Sequence, residues 1–255
     1  MTHHDVSPSV SAHPGAGSSF PFHSLASACS SRDNHSYLET VWHEAGHGLV
    51  YRLHDIPVNS LQAIDPCQYR AGARPVDHHG ERMTDAIGLC DVGLQPWEIV
   101  RDTGDDPVTL PSDRILGYMS GNVAGPVAEH LWNQDRQVRL RTFWQGFPLR
   151  SATHGHCSGD DMMDICANAA LLAKDRLAQN RNSRGHVHAM VNLFQTPAGW
   201  ACLERVARAL HRHGHLDAEA LDQAIDLDPK DRRHLIAPFS FRMGFATRMV
   251  DDLTG

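Results

Sequence analysis

Between positions 38 and 53 the apolar residues Leu38, Val41, Trp42, Ala45, Leu49 and Leu53 recur three and four places apart, a spacing that lines one face of a helix. Ser36-Tyr37-Leu38-Glu39 has the S-x-x-E form of a capping box, so the helix is expected to start at Ser36. Residues 58–64 and 86–92 read instead as short strands, being apolar or β-branched and bounded by Pro, Asn and Gly. The polar connection between them, 65–85, is expected to be structureless, and loops of that length are usually functional or mobile. A second helix is predicted over 112–133, where Ile115, Met119, Val123, Val127 and Leu131 keep a four-residue rhythm that Pro126 should kink or interrupt. A third should begin at Ser158 or Gly159 and carry Met162, Ile165, Cys166, Ala169 and Leu172. Further helices are expected near 184–195 and 197–213, the last opened by Thr196-Pro197 and stopped by Gly214. Residues 1–34, rich in Ser, His, Pro, Ala and Gly and free of periodicity, read as a disordered arm.

Composition narrows the function classes. A chain of 255 residues with 41% hydrophobic content can bury a core, and no apolar run approaches the length of a bilayer span. With no basic-then-apolar order at the N-terminus, a cytoplasmic protein with no membrane partner is the expectation. A formal charge of -7 argues against a nucleic-acid surface, which needs clustered positive charge. The two lysines, Lys174 and Lys230, lie outside any P-loop pattern. The six cysteines, 29, 67, 90, 157, 166 and 202, form no CxxC pair and are expected to be mostly free thiols.

The candidate chemistry sits in the first helix, as Thr40-Val41-Trp42-His43-Glu44-Ala45-Gly46-His47. Even with 19 histidines in the chain, composition predicts only roughly 0.04 accidental HExxH matches. Each helical residue turns about 100°, so His43 and His47 stand one turn apart on one face with Glu44 beside them. Two imidazoles so placed can grip one Zn2+, which takes a third protein ligand and keeps an open position for water. Glu44 is then placed as the general base that takes the water proton and passes it to the departing amine. Gly46 and Gly48 each cost a helix interior about 1 kcal/mol against alanine and so suggest close approach of something bulky, at the site or from a neighbouring helix.

His43-Glu44-Ala45-Gly46-His47-Gly48 resembles the HEAGHA helix of the FtsH-type zinc metallopeptidase domain, and further segments follow in the same order. Ala86-Ile87-Gly88-Leu89-Cys90 is similar to that family's edge strand, and Ala124-Gly125-Pro126-Val127-Ala128-Glu129-His130-Leu131 to its AGRxAEEL helix. Ser158-Gly159-Asp160-Asp161-Met162 resembles the segment that carries the family's aspartate ligand. The resemblance implies a mainly α (α+β) fold, a helical zincin-like FtsH-type peptidase domain over 35–226 with a small β element near the active-site helix. Residues 227–255 would be a C-terminal extension. It also implies Asp161 as third ligand, with Asp160 as fallback; both acids equally suit the first turn of a helix. Glu129 either orients a ligand histidine or replaces the aspartate. His130 and Pro126 depart from the family's acidic residue and arginine.

Family members usually carry a membrane anchor and an ATPase module, for which this chain shows no motif. The implied protein is a stand-alone, ATP-independent zinc endopeptidase whose partner is an unfolded polypeptide substrate, with a homo-oligomer or a separate ATPase as further partners. A proteolytically silent zinc-containing binding or regulatory protein is the alternative, which an intact Glu44 disfavours. His78, His79 and the His-x-His pairs at 154/156, 186/188 and 211/213/215 are expected to be solvated or helix-terminal rather than a second metal site.

Overall fold

The computed structural model describes residues 31–102, 110–134, 159–172, 174 and 176–239. Helices α1 (Ser31–Leu53), α2 (Pro66–Arg70), α3 (Pro96–Asp102), α4 (Ser112–Asn133), α5 (Gly159–Leu172), α6 (Arg176–Gln195), α7 (Pro197–His213), α8 (Ala218–Ile225) and α9 (229–239) surround three short strands. These are β1 (Ser60–Ala63), β2 (Gly88–Asp91) and β3 (His215–Asp217), in the antiparallel order β2-β1-β3. The fold is thus mainly α with one small sheet. Among the described residues no helix is long and apolar enough to cross a membrane.

α1 is already helical at Ser31, five residues ahead of the expected cap, and the Ser36 carbonyl accepts the Thr40 hydroxyl within the helix. Its apolar stripe packs as the periodicity predicts, yet every residue from Thr40 to Tyr51 is buried, polar ones included. The helix is therefore enclosed on all sides rather than lying half-exposed. α4 and α7 cover it from two directions and the sheet from a third. A side chain on Gly46 would come within 2.5 Å of the Ala124 carbonyl oxygen on α4, and one on Gly48 within 3.1 Å of the Leu61 methyls on β1. Those two glycines set how closely the neighbours approach. Trp42 closes one end of the core between Trp200, 5.0 Å away, and Trp132, 6.3 Å away.

Pro126 does not interrupt α4, which runs through it from Ser112 to Asn133. The missing N–H forfeits one bond, and the buried face on both sides of it outweighs that loss. α7 begins and ends at its sequence signals: Thr196 accepts from the Gly199 amide, and Gly214 closes the helix at φ 68°. Immediately after it, β3 adds to the free edge of β1 through Ser60↔Asp217, Leu61↔Leu216 and Gln62↔His215. The packed body runs on past Ile225, because Ile236 and Phe239 of α9 join the same core. Asp222 of α8 ties the end of α1 to α9, accepting from both Arg52 and Arg232.

The 65–85 connection is ordered, contrary to expectation. Asp65 caps α2 by accepting from the Cys67 amide at 2.8 Å, the Arg74 guanidinium lies 3.7 Å over the Tyr69 ring, and Val76 bridges to Arg82. Sheet side chains take the place of backbone partners: Gln62 of β1 bonds both polar groups of Val76, and Asp91 of β2 accepts from the His78 amide and ring. His78 is therefore hydrogen-bonded to Asp91 rather than merely solvated. Of the four described cysteines, Cys90, Cys166 and Cys202 are free, while Cys67 is disulfide-bonded, a bond favoured in oxidising compartments.

Away from the HExxH turn, two histidines are packed without charge. His186 of α6 is fully buried with Nδ1 3.0 Å from the Ser120 hydroxyl, and burial, with His54 nearby, lowers its pKa to about 3. His54 is lowered to about 4 by burial, which Asp55 only partly opposes, and its Nε2 has no hydrogen-bond partner. Both folded values lie below the unfolded value of about 6.5, so the stability they permit is complete above that pH and is lost as pH falls toward the folded values. Carboxylates titrate lower, leaving a window between about pH 6.5 and 5 that belongs to histidine. We expect chemical denaturation to show His186→Gln losing about 2 kcal/mol less stability than the wild type between pH 7 and 5. Parallel pH profiles for the two proteins would contradict this account.

Candidate metal centre

Three elements bring the centre together: α1 supplies His43, Glu44 and His47, α4 backs them, and α5 closes over them with Asp161. His47 Nδ1 lies 2.8 Å from the Gly121 carbonyl oxygen, which can only accept, so Nδ1 carries the proton and Nε2 presents a lone pair. His43 Nδ1 is 3.1 Å from the Glu129 carboxylate and donates to it, which likewise leaves its Nε2 bare. The two Nε2 atoms then face each other at 2.9 Å, and Asp161 Oδ2 lies 3.1 Å from one and 3.4 Å from the other. With both imidazoles neutral, three electron-pair donors converge on one point with no proton among them. Donors around one tetrahedral ion at 2.0–2.2 Å stand about 3.3–3.6 Å apart, so the three atoms, at 2.9–3.4 Å, need to part only by a few tenths of an ångström to take a single cation. Among the described residues His43, His47 and Asp161 are the one His/Cys/Asp/Glu group arranged to hold a metal ion.

The local electrostatics reflect the same excess of acceptors. Burial alone would raise the Asp161 carboxyl, but the charge of His47 and hydrogen bonds from both histidines hold it well below the usual carboxylate range. Burial would lower His47, and the Asp161 carboxylate more than reverses this, leaving the imidazole above its ordinary value. Each shift records a site that favours added positive charge, which a divalent ion supplies more fully than a proton.

Of the residues singled out in the sequence, Asp161 is the acid that meets both histidines, and Glu129 touches His43 on the side away from Asp161. The side chain of Asp160 lies outside the described residues, as do His154 and His156. Glu44 is buried at 7% exposure, and burial raises its carboxyl above the ordinary value against the opposing pull of His43 and His47. It lies against β2, where a Cβ on Gly88 would overlap Glu44 Oε1 and come within 2.7 Å of the Thr40 methyl. Cys90, two residues along that strand, is half-buried beside the same charges, and desolvation pushes its thiol well above its ordinary value.

Several contributors escaped the sequence reading. Gly125 is one: a Cβ there would overlap His47 Nε2 and fall 2.6 Å from His47 Cδ2, so only glycine leaves the ligand its place. Gly121 is another, offering its carbonyl to His47 while making room for the Tyr51 ring. Ala124-Gly125 was legible as a small-residue pair, but only packing reveals which neighbour needs the space. The chain matches no known protein-family model and no curated protein.

Metal analysis after dialysis should find about one bound divalent metal ion per chain in the wild type and in Glu44→Gln, and essentially none in His43→Ala, His47→Ala or Gly125→Ala. Gly125→Ala is the informative variant, because it adds a methyl group without removing any ligand. Full metal occupancy in it would mean that His47 does not occupy the position described.

Proposed function

We propose that this chain is a zinc metallopeptidase of the FtsH-like kind, hydrolysing peptide bonds in unfolded or accessible protein segments without ATP. One observation carries the reading: two bare Nε2 lone pairs and a carboxylate converge on a point beside a buried glutamate. Two imidazoles and one carboxylate are one of the donor sets that catalytic zinc uses while keeping a position open. The family resemblance at His43 to Gly48 agrees with it.

His43, His47 and Asp161 would hold the zinc, which when bound would supply a Lewis acid for the scissile carbonyl and a more acidic water. The protein does the rest. Gly121 and Glu129 hold the two imidazoles in the tautomer that presents Nε2. Glu44, pressed between the histidines and β2, accepts the water proton and returns it to the leaving amine. β2 pairs with β1 along one edge, and its Gly88 adjoins Glu44. An extended substrate strand pairing with the other edge would present its carbonyls beside that carboxylate, with backbone bonds giving affinity and broad sequence tolerance. The 65–85 segment, fastened to β1 and β2, would stand as a fixed wall beside that substrate strand.

Gly88→Ala and Glu44→Gln should both keep zinc and lose roughly 10²–10⁴-fold in turnover, the range that general-base removal costs. Comparing new N-termini in a lysate treated with wild type or Glu44→Gln tests the activity, and wild-type peptides absent from neither sample would defeat the proposal. A stable domain and its destabilised point mutant, incubated without nucleotide, should differ, with the mutant cut first because local unfolding limits access. Equal, rapid loss of both would contradict the requirement for unfolded segments.

A further inference from the structure

The acid that completes the centre is held in place by a second group of polar residues. Asp161, Asp164 and Asn168 recur at i, i+3 and i+7 and so share one face of α5. Asp161 meets the histidines, Asp164 accepts from Trp97 Nε1 at 2.7 Å, and Asn168 Nδ2 donates to Gln95 Oε1 at 3.1 Å. Trp97 and Gln95 both belong to the short α3 and the residue before it. Gln95 also reaches the other side of the centre: its Nε2 lies 3.5 Å from the Tyr51 hydroxyl and from Asn122 Oδ1, and Asn122 Nδ2 donates back to it at 3.4 Å. Tyr51 donates to Asn122 and sits one turn after His47, with its ring against Gly121, whose carbonyl orients His47.

We infer that α3 is a positioning clamp for the metal centre, in which Gln95 and Trp97 set the rotation and height of α5 and thereby deliver Asp161 to His43 and His47. The inference rests on the metal reading of that centre.

Burial sharpens the point. Asn168, Asn122 and Gln95 are 0%, 1% and 8% exposed, and Asn168 Oδ1 has no hydrogen-bond partner. An apolar interface would pack these helices without that desolvation cost, but apolar contacts tolerate sliding whereas directional amide bonds do not. Tolerance matters here because a shift of one residue along α5 is 1.5 Å of rise and 100° of rotation, either of which removes Asp161 from a bond of about 2 Å. The clamp touches α1, α4 and α5 together, so it fixes the two ligand-bearing helices relative to each other and not merely to α3.

The test is zinc affinity of the full chain, measured by competition with a chromophoric chelator. Trp97→Phe keeps the ring and removes only the N–H, and Gln95→Met keeps the length and removes the amide. Each should weaken zinc binding by about 10–100-fold, the range typical of residues that orient ligands. Added to Asp161→Ala, Trp97→Phe should cause no further weakening, because its effect passes through that carboxylate. General destabilisation would instead add its full effect in the double variant. Wild-type affinity in Trp97→Phe, or additive losses in the double variant, would overturn the clamp while leaving the metal site intact. Absence of zinc binding by the wild type would overturn the metal reading and the clamp with it.

Discussion

Everything at the centre depends on how closely α1 and α4 approach. Three glycines meet side chains or backbone from the opposite helix: Gly46 under the Ala124 carbonyl, Gly121 under the Tyr51 ring and Gly125 under the His47 imidazole. A single methyl group at any of them would force the helices apart or the ring aside. The intrinsic cost of glycine in a helix, about 1 kcal/mol each, is offset by packing that buries Val41, Leu49, Val123 and Val127 almost completely. The same proximity lets a main-chain carbonyl of α4 orient a side chain of α1, which a looser pair of helices could not do.

Close packing creates an electrostatic problem as well as solving a geometric one. Two lone pairs and a carboxylate within hydrogen-bonding distance of one another repel in a buried site unless a positive charge sits among them. The protein meets the requirement from outside as well: Glu129 stabilises the His43 N–H, and the Gly121 carbonyl the His47 N–H, so neither imidazole is free to turn its protonated nitrogen inward. Orientation and charge are thus set by different residues, α4 governing the first and α5 the second. That division explains why α5 needs its own anchorage to α3.

The sheet serves the centre by placing Gly88 against Glu44 and by leaving β1 to hold everything else. β1 is buried along its whole length and pairs on both sides, with β2 toward the centre and β3 away from it. Its Gln62 and the Asp91 at the end of β2 also fasten the 65–85 segment, so one strand pair holds that whole connection. Rigidity there suits the proposed chemistry, in which Glu44 would have to stay within reach of a reacting water and a displacement of about 1 Å would be costly.

What was legible in the sequence was local. The turn of helix carrying His43, Glu44 and His47 follows from i, i+4 spacing, and the bounds of α7 from Thr196, Pro197 and Gly214, because caps and periodicity act within a few residues of themselves. The mainly helical character followed from the same short-range signals, reinforced by the family resemblance. Signals of this kind also misled: Ser36 has the form of a cap but lies inside α1, since tertiary packing extends the helix past it. β3 offers only three residues, too few for a pattern, and exists because the chain leaving α7 runs beside an open edge of β1. Asp161 stands 118 positions from His43, and spacing alone could not choose between it and its neighbour or Glu129. Only the packed helices decide which acid meets the imidazoles, because that choice depends on the rotation of α5, and α3 and α4 set that rotation through contacts far apart in the chain.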